Sequence, residues 1–244
     1  MFGLADKLYS LRKCREGYVE PEIDWRPEIV SYNRKSTSWF CFVSNNISKR
    51  PFLRNRIIPK EGDVFIYTIS SLNIIKPNPE QSVRKLQDIY EDSMNRMYKE
   101  LVDGKTLNVL GVSLGNVLSI RASSDINSSI ERIISIVGGG RLGLSAWDSI
   151  LTGSIARKSG CQSRTEYEEK MSLFSPLNYI SGIKAGKISI RLGTRDLLIP
   201  FKQGQELSWA FVEQAKKTGT KIDYKEYKGA DHCSSIILSA LDKI

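Results

Sequence analysis

The chain has 244 residues, 41% hydrophobic and 26% charged, which is typical of a folded domain and not of a disordered or fibrous chain. This length predicts a single domain over residues 1–244 and exceeds that of a small scaffold stapled by disulfides. The net charge of +9 is compatible with nucleic acid or an anionic surface, but the basic runs are short and lack a recognition motif, so no nucleic-acid partner is expected.

The predicted elements alternate between strands and helices along the chain. Six segments are predicted to be strands: 39–43, 64–69, 107–110, 132–137, 187–192 and 221–227. Helical patterns fall between or after them, at 82–101, from 115 to about 122, at 205–217 and from about 234 onward. This alternation predicts an α/β fold, with a mostly parallel sheet and helices on both faces.

Residues 141–181 do not follow this alternation of strands and helices. They place about 40 residues of mostly helical pattern between two strands, more than a simple crossover needs. We interpret them as a helical insertion or cap. Trp147, Leu151 and Phe174 are candidate substrate-binding residues in it, and the alternative that they only pack the insertion onto the core stays open.

A candidate nucleophile follows the third predicted strand. The sequence from Gly111 to Gly115 reads G-V-S-L-G and fits the pattern G-x-S-x-G. A serine hydroxyl exposed at the tip of a sharp strand-to-helix turn needs small neighbours, because the backbone is crowded two residues before and two after it. The pattern therefore points to Ser113 as a catalytic residue.

A serine needs a base to take its proton, and that base is most often an imidazole. The chain has one histidine, His232, which lies in the loop after the last predicted strand. Asp196, just after the fifth predicted strand, is the candidate acid that orients it, so the chain order is Ser, Asp, His. Asp231 and Asp223 are weaker candidates, since adjacent side chains such as Asp231 and His232 seldom face each other.

These three segments resemble the triad loops of the α/β-hydrolase superfamily: G-V-S-L-G at 111–115, G-T-R-D-L-L-I-P at 193–200 and G-A-D-H at 229–232. The resemblance extends from about Ser38 to the C-terminus. It implies an oxyanion hole built from the backbone N–H of Leu114 and from the loop after the first predicted strand. Many members carry His-Gly in that loop. This chain has Ser44-Asn45-Asn46, so a backbone N–H of Ser44 or Asn45 takes the role.

A second glycine motif offers a competing interpretation. Residues 138–143, G-G-G-R-L-G, satisfy G-x-G-x-x-G after a predicted strand, as a dinucleotide-binding turn does. The motif lies in mid-chain, and no strand ending in an acidic residue follows about 20 residues later. We therefore expect no organic cofactor and interpret these glycines as leaving space beside the active site.

The remaining signals concern compartment and cofactors. No run of about 18 uncharged apolar residues is present, so no membrane span is predicted. Asp6 and Lys7 interrupt the segment that a signal peptide would keep apolar, which favours a cytoplasmic protein. The cysteines are widely spaced and are expected to be free thiols with no metal site: Cys14, Cys41, Cys161 and Cys233.

Together these features predict a serine hydrolase that cleaves a small-molecule ester, thioester or related acyl substrate through Ser113, His232 and Asp196. Two alternatives remain open at this stage. One keeps the fold but makes the protein an acyltransferase or a non-catalytic binding protein. The other is a basic protein that binds nucleic acid or an anionic surface.

Overall fold

A computed structural model of the protein describes residues 25–32, 36–126 and 130–242. The strands in those ranges are β1 Glu28–Ser31, β2 Thr37–Ser44, β3 Asp63–Ile69, β4 Thr106–Val112, β5 Ile130–Ile136, β6 Ala185–Gly193 and β7 Lys221–Tyr227. The helices are α1 Asn45–Lys49, α2 Pro51–Ile57, α3 Ser71–Ile74, α4 Pro79–Val102, α5 Gly115–Ile126, α6 Leu142–Asp148, α7 Gly153–Ala156, α8 Arg164–Met171, α9 Phe201–Thr218 and α10 His232–Leu241.

The described strands form one sheet in the order β1-β3-β2-β4-β5-β6-β7. All neighbouring pairs are parallel except β1 with β3, which is antiparallel. The predicted mostly parallel sheet is confirmed, and each of the six predicted strands is present. Strand β1 and the helices α1 and α2 were not predicted.

Strand β2 explains why helices cover both faces of the sheet. Successive side chains of a strand point to opposite faces. Phe40 and Phe42 belong to the core that contains residues of α4, α5 and α9, whereas Trp39, Cys41 and Val43 belong to the core that contains residues of α1, α2 and α10. A central strand buried on both faces is a continuous apolar run, which is why this segment shows no alternation.

The parallel pairing brings four loops to one edge of the sheet. Strands β2, β4, β6 and β7 all end there, and Ser44, Ser113, Asp196 and His232 lie at or just after their carboxyl ends. Because β2 is the direct neighbour of β4, the loop that starts at Ser44 lies beside the turn at Ser113. Crevices at the carboxyl ends of parallel strands are the usual ligand sites of such sheets.

Residues 141–181 are largely helical, with α6, α7, α8 and the 3-10 turns Ser172–Phe174, Pro176–Asn178 and Ile180–Gly182. Helix α6 packs against α8, and α8 packs against α4. That this segment acts as a cap stays a prediction.

Two further sequence expectations concern the membrane and the cysteines. Within residues 25–32, 36–126 and 130–242, every helix is too short or too polar to cross a bilayer. Cys41 and Cys161 are free thiols, as predicted. Asp6, Lys7 and Cys14 lie outside the described residues.

Candidate active site

Ser113 occupies a strained turn between β4 and α5. Its φ is 57°, in the left-handed region that costs an ordinary residue about 1–3 kcal/mol. The Ser113 N–H donates to the Ile136 carbonyl oxygen of the neighbouring strand at 2.9 Å, which fixes the turn against β5. The residue is partly exposed, so its hydroxyl is accessible at the tip of the turn.

Both glycines of the G-x-S-x-G motif are required by close packing. A Cβ on Gly115 would lie 2.1 Å from the carbonyl oxygen of Phe42 in β2. A Cβ on Gly111 would lie 2.3 Å from the Ser119 hydroxyl oxygen and 2.8 Å from the Asn116 Cα. The spacing of the motif therefore reflects the approach of helix α5 to strands β2 and β4 on either side of the serine.

Asn116 supports this turn, and the sequence analysis did not identify it. Its side-chain Nδ2 donates to the carbonyl oxygens of Ser113 and Ile136, each at 3.0 Å. The side chain is fully buried, and a Cβ on Gly138 would come within 2.7 Å of its amide carbon. The available signal was a polar residue three positions after the serine, directly before the apolar pair Val117 and Leu118.

His232 and Asp196 form a buried pair. The His232 Nδ1 lies 2.7 Å from the Asp196 Oδ2, and both side chains are almost fully buried. The other carboxylate oxygen, Oδ1, accepts from the backbone N–H groups of Leu198 and Ile199 at 2.9 and 2.8 Å. These bonds fix the carboxylate, so it holds the imidazole in one orientation.

The two other aspartates considered near this histidine have different partners. Asp231 caps helix α10, where its Oδ1 accepts from the Ser234 N–H at 2.8 Å. Asp223 pairs with the buried Arg191, whose guanidinium donates to the Asp223 Oδ2 at 2.8 Å. This hydrogen bond is the main reason that the pKa of Asp223 is lowered. The geometry thus favours Asp196.

One cavity of about 110 Å³ brings the predicted residues together: Ser113, Leu114, His232, Ser44 and Asn45 all lie in its wall. Among the described residues, no group accepts a hydrogen bond from the Leu114 N–H. The Asn45 Oδ1 is buried beside the cavity and likewise has no hydrogen-bond partner there. Ser113, Leu114 and Asn45 therefore line the same cavity.

The structure corrects two of the three candidate substrate-binding residues. Leu151 lies in the cavity wall, but Trp147 and Phe174 do not. The Trp147 ring packs on Tyr167, with centroids 5.7 Å apart, and Phe174 is fully buried against Tyr90. Both rings pack against the hydrophobic core, so their apolar contacts hold this segment on the rest of the domain.

A side chain of the protein itself, Glu168, occupies the space beside the G-G-G-R-L-G segment. The Glu168 carboxylate accepts from the Leu144 N–H at 3.1 Å and from the Ser175 hydroxyl at 2.6 Å, at the start of helix α6. Burial raises the pKa of Glu168, and these hydrogen bonds oppose that rise. A Cβ on Gly143 would lie 2.5 Å from the Glu168 Cα. Glu168 thus occupies the position that a phosphate would take in a dinucleotide-binding turn.

The same segment also borders the active site. A Cβ on Gly139 would lie 2.5 Å from the hydroxyl oxygen of Ser145, a residue of the cavity wall. These glycines are therefore packing residues beside the cavity. In the part of the chain that the structure describes, no three His, Cys, Asp or Glu side chains form a group suited to a metal ion.

Comparisons with known proteins bear on the fold. No protein-family model and no curated protein matches the chain. Among solved structures, acylaminoacyl peptidase from Pyrococcus horikoshii superposes with a TM-score of 0.62 and 14% identity over 87% of this chain. The chain spans 36% of that peptidase.

Two further solved structures are similar over nearly their whole length. TT1662 from Thermus thermophilus has a TM-score of 0.58 and 12% identity, covering 90% of this chain and 95% of its own. Carboxyl esterase 2 from Tuber melanosporum has a TM-score of 0.54 and 14% identity, covering 98% of this chain and 93% of its own. At these identities the likeness concerns the fold. The chain has the α/β-hydrolase fold that the resemblance of its Ser, Asp and His segments implied, and its observed strand order agrees with it.

Proposed function

We propose that the protein is a serine hydrolase that acts on acyl substrates through Ser113, His232 and Asp196. The observation that carries this proposal is the 2.7 Å contact between His232 Nδ1 and the buried Asp196 Oδ2, because His232 also lines the cavity that Ser113 lines. A nucleophile and a base in one cavity, with a fixed acid behind the base, are the parts that acyl transfer needs.

The assignment of protons follows from the Asp196 contact. With Nδ1–H donating to the carboxylate, Nε2 of His232 is the unprotonated, basic nitrogen of the ring. It takes the proton of the Ser113 hydroxyl as the serine oxygen attacks the substrate carbonyl carbon. The imidazolium then gives that proton to the leaving group, and an acyl-enzyme remains on Ser113.

Water completes the cycle by the same route. His232 Nε2 accepts a proton from water, the resulting hydroxide oxygen attacks the acyl carbon, and the proton returns to the Ser113 oxygen as the acid leaves. Asp196 stays ionised throughout and stabilises the imidazolium in both halves. The scheme consumes only the acyl substrate and water, and it regenerates the Ser113 hydroxyl.

The developing oxyanion is stabilised in this proposal by the N–H groups of Leu114 and of Ser44 or Asn45. Leu114 follows the nucleophile, and the Ser44-Asn45 loop ends the neighbouring strand β2 in the same cavity wall. Losing one donor of this kind costs about 2.7–4 kcal/mol of transition-state stabilisation. The wall is otherwise largely apolar, with Leu151 among its side chains, which suits the acyl part of a substrate.

The bond that is cleaved is an ester, a thioester or an amide. The similar solved structures include a peptidase and esterases, and all three chemistries pass through the same acyl-enzyme. Hydrolysis of a short-chain 4-nitrophenyl ester is the simplest activity to measure first.

The test is labelling with a fluorophosphonate, which reacts with an activated serine. We expect one adduct per chain, located on Ser113 by peptide mass spectrometry and absent from Ser113→Ala. Ser145→Ala is the matched control, because Ser145 is a buried serine in the same cavity wall and should leave labelling intact. A folded protein that neither labels at Ser113 nor hydrolyses the ester would overturn the proposal.

A further inference from the structure

Arg50 stands at the junction of α1 and α2 and lies in the wall of the active-site cavity. Its side chain is exposed, so it lies where the cavity opens to solvent. Asn45 begins α1 five residues earlier, and the helical rise separates the two backbone positions by about 8 Å. The Arg50 backbone therefore lies in a part of the wall separate from the proposed oxyanion donors.

This cation has no ion-pair partner among the described residues, in contrast to its neighbour in α2. Arg54 pairs with Glu28 across the surface, but no carboxylate of the described ranges lies near Arg50. The cavity wall contains no Asp or Glu side chain and no other Arg or Lys. Among the described residues of the wall, Arg50 thus supplies one positive charge that no carboxylate neutralises.

We propose that Arg50 forms an anion-binding subsite at the mouth of the cavity and selects acyl substrates that carry a carboxylate or phosphate at one end. This inference rests on the proposed function for the reaction itself. An arginine fork suits both anions, because it donates two parallel hydrogen bonds to their oxygens.

The charge of the whole chain favours the same substrates. The net charge of +9 attracts anions to the surface, and Arg50 then supplies the local contact at the entrance. The apolar wall between Arg50 and Ser113, which includes Ile47 and Leu53, contacts the uncharged middle of such a molecule. The predicted substrate therefore has an anion at one end and an acyl bond at the other.

The test compares three esters of similar length. They are mono-4-nitrophenyl glutarate, its methyl ester, and the 4-nitrophenyl ester of 4-phosphonobutanoate, so the first and third carry the two anions and the second carries none. The protein, Arg50→Gln and Arg56→Gln are compared. Arg56 is the matched control, because it is also exposed on α2 but lies outside the cavity wall.

We expect kcat/KM for at least one anionic ester to exceed that for the neutral ester by about five- to tenfold, the scale of a charge-assisted contact at a half-exposed site. Arg50→Gln should bring this ratio close to one, and Arg56→Gln should keep it. The ratio should also fall in about 1 M salt, where the screening length is about 3 Å. The anion with the larger Arg50-dependent ratio is the one that the subsite recognises.

A second measurement separates this inference from the proposed function. Calorimetry records binding of the same esters to Ser113→Ala and to Ser113→Ala with Arg50→Gln, without turnover. If Ser113 labels and turns over but no ester shows an Arg50-dependent ratio, the subsite is wrong and the function stands. If neither labelling nor turnover occurs but anion binding still depends on Arg50, the function is wrong and the subsite stands. Binding that is indifferent to Arg50 overturns the subsite in either case.

Discussion

The side chain of Asn116 holds the backbone of Ser113: its Nδ2 donates to the Ser113 carbonyl oxygen at 3.0 Å and to the Ile136 carbonyl oxygen at the same distance. One amide thus joins the nucleophile turn to strand β5. The left-handed φ of 57° at Ser113 is unfavourable on its own, so hydrogen bonds from neighbouring groups are needed to hold the turn in this conformation.

Replacing Asn116 by Ala should therefore affect both stability and rate. The Ser113 carbonyl loses its side-chain donor, and we expect the free energy of unfolding to fall by about 2 kcal/mol. The kcat for ester hydrolysis should fall as well, because the turn relaxes. Urea unfolding and steady-state kinetics measure the two effects. Ser123→Ala, a buried helix hydroxyl bonded only to the Ser119 carbonyl, is the control and should leave kcat near that of the parent.

Gly115→Ala should be strongly destabilising. Its methyl group would lie 2.1 Å from the Phe42 carbonyl oxygen, so β2 and α5 must separate, at a cost of about 1–3 kcal/mol or more. Gly104→Ala is an informative comparison, because Gly104 has a φ of 74° but open space around its Cβ position. It should cost only about 1 kcal/mol from backbone strain. Equal losses in urea unfolding would contradict the crowding argument.

Asp196→Asn should remove activity while preserving the fold. The Asn oxygen still accepts from the Leu198 and Ile199 N–H groups, but its amide then donates to the His232 Nδ1. That forces the proton onto Nε2, which no longer accepts from Ser113, and we expect kcat to fall by about 10⁴. The rate of fluorophosphonate labelling should fall in parallel.

The control for this experiment is Asp231→Asn, because Asp231 is the neighbouring acid that caps α10. Asn is also a good cap residue, so both kcat and stability should stay close to those of the parent protein. A rate loss for Asp231→Asn comparable to that for Asp196→Asn would refute the assignment of the acid.

Glu168→Gln should change how stability depends on pH. Burial holds the pKa of Glu168 in the folded protein above its unfolded value. The contribution of Glu168 to stability is therefore greatest below the unfolded pKa and is lost as the pH rises through the folded one. Gln does not titrate, so the free energy of unfolding of the parent minus that of Glu168→Gln should decrease as the pH rises above the unfolded pKa of Glu168 and through the folded one.

Urea unfolding at several pH values measures this difference. Glu169→Gln, at the exposed neighbouring position, provides the matched control for removing one carboxylate from the same helix. A difference for Glu168→Gln that rises with pH would mean that hydrogen bonds to the ionised carboxylate outweigh the cost of its burial.

The central sheet was predictable from sequence because its strands are long, apolar and separated by helical patterns. Six strands and the loops at their carboxyl ends followed directly, and with them the positions of Ser113, Asp196 and His232. Strand β1 was missed because it has four residues at the sheet edge, of which only Val30 is partly buried. Helices α1 and α2 were missed because they are short and carry few apolar residues between polar and basic ones such as Lys49, Arg54 and Arg56.

The cavity wall was less predictable. Leu151, Trp147 and Phe174 look alike as large apolar residues in one segment, yet only Leu151 lines the cavity. Which way such a side chain faces depends on tertiary packing, here on Tyr167 for Trp147 and on Tyr90 for Phe174. Asn116 was missed for a related reason, since its role depends on the approach of β5, which is remote in sequence.

The tight packing around Ser113 has a consequence for engineering. Gly111, Gly115 and Gly138 admit no side chain, so libraries that vary this part of the protein should yield mostly unfolded or inactive clones. The entrance is built from separate elements, with Arg50 between α1 and α2 and Leu151 in the segment between β5 and β6. Selection for new substrates should therefore randomise the residues at the entrance and keep Gly111, Gly115 and Gly138 unchanged.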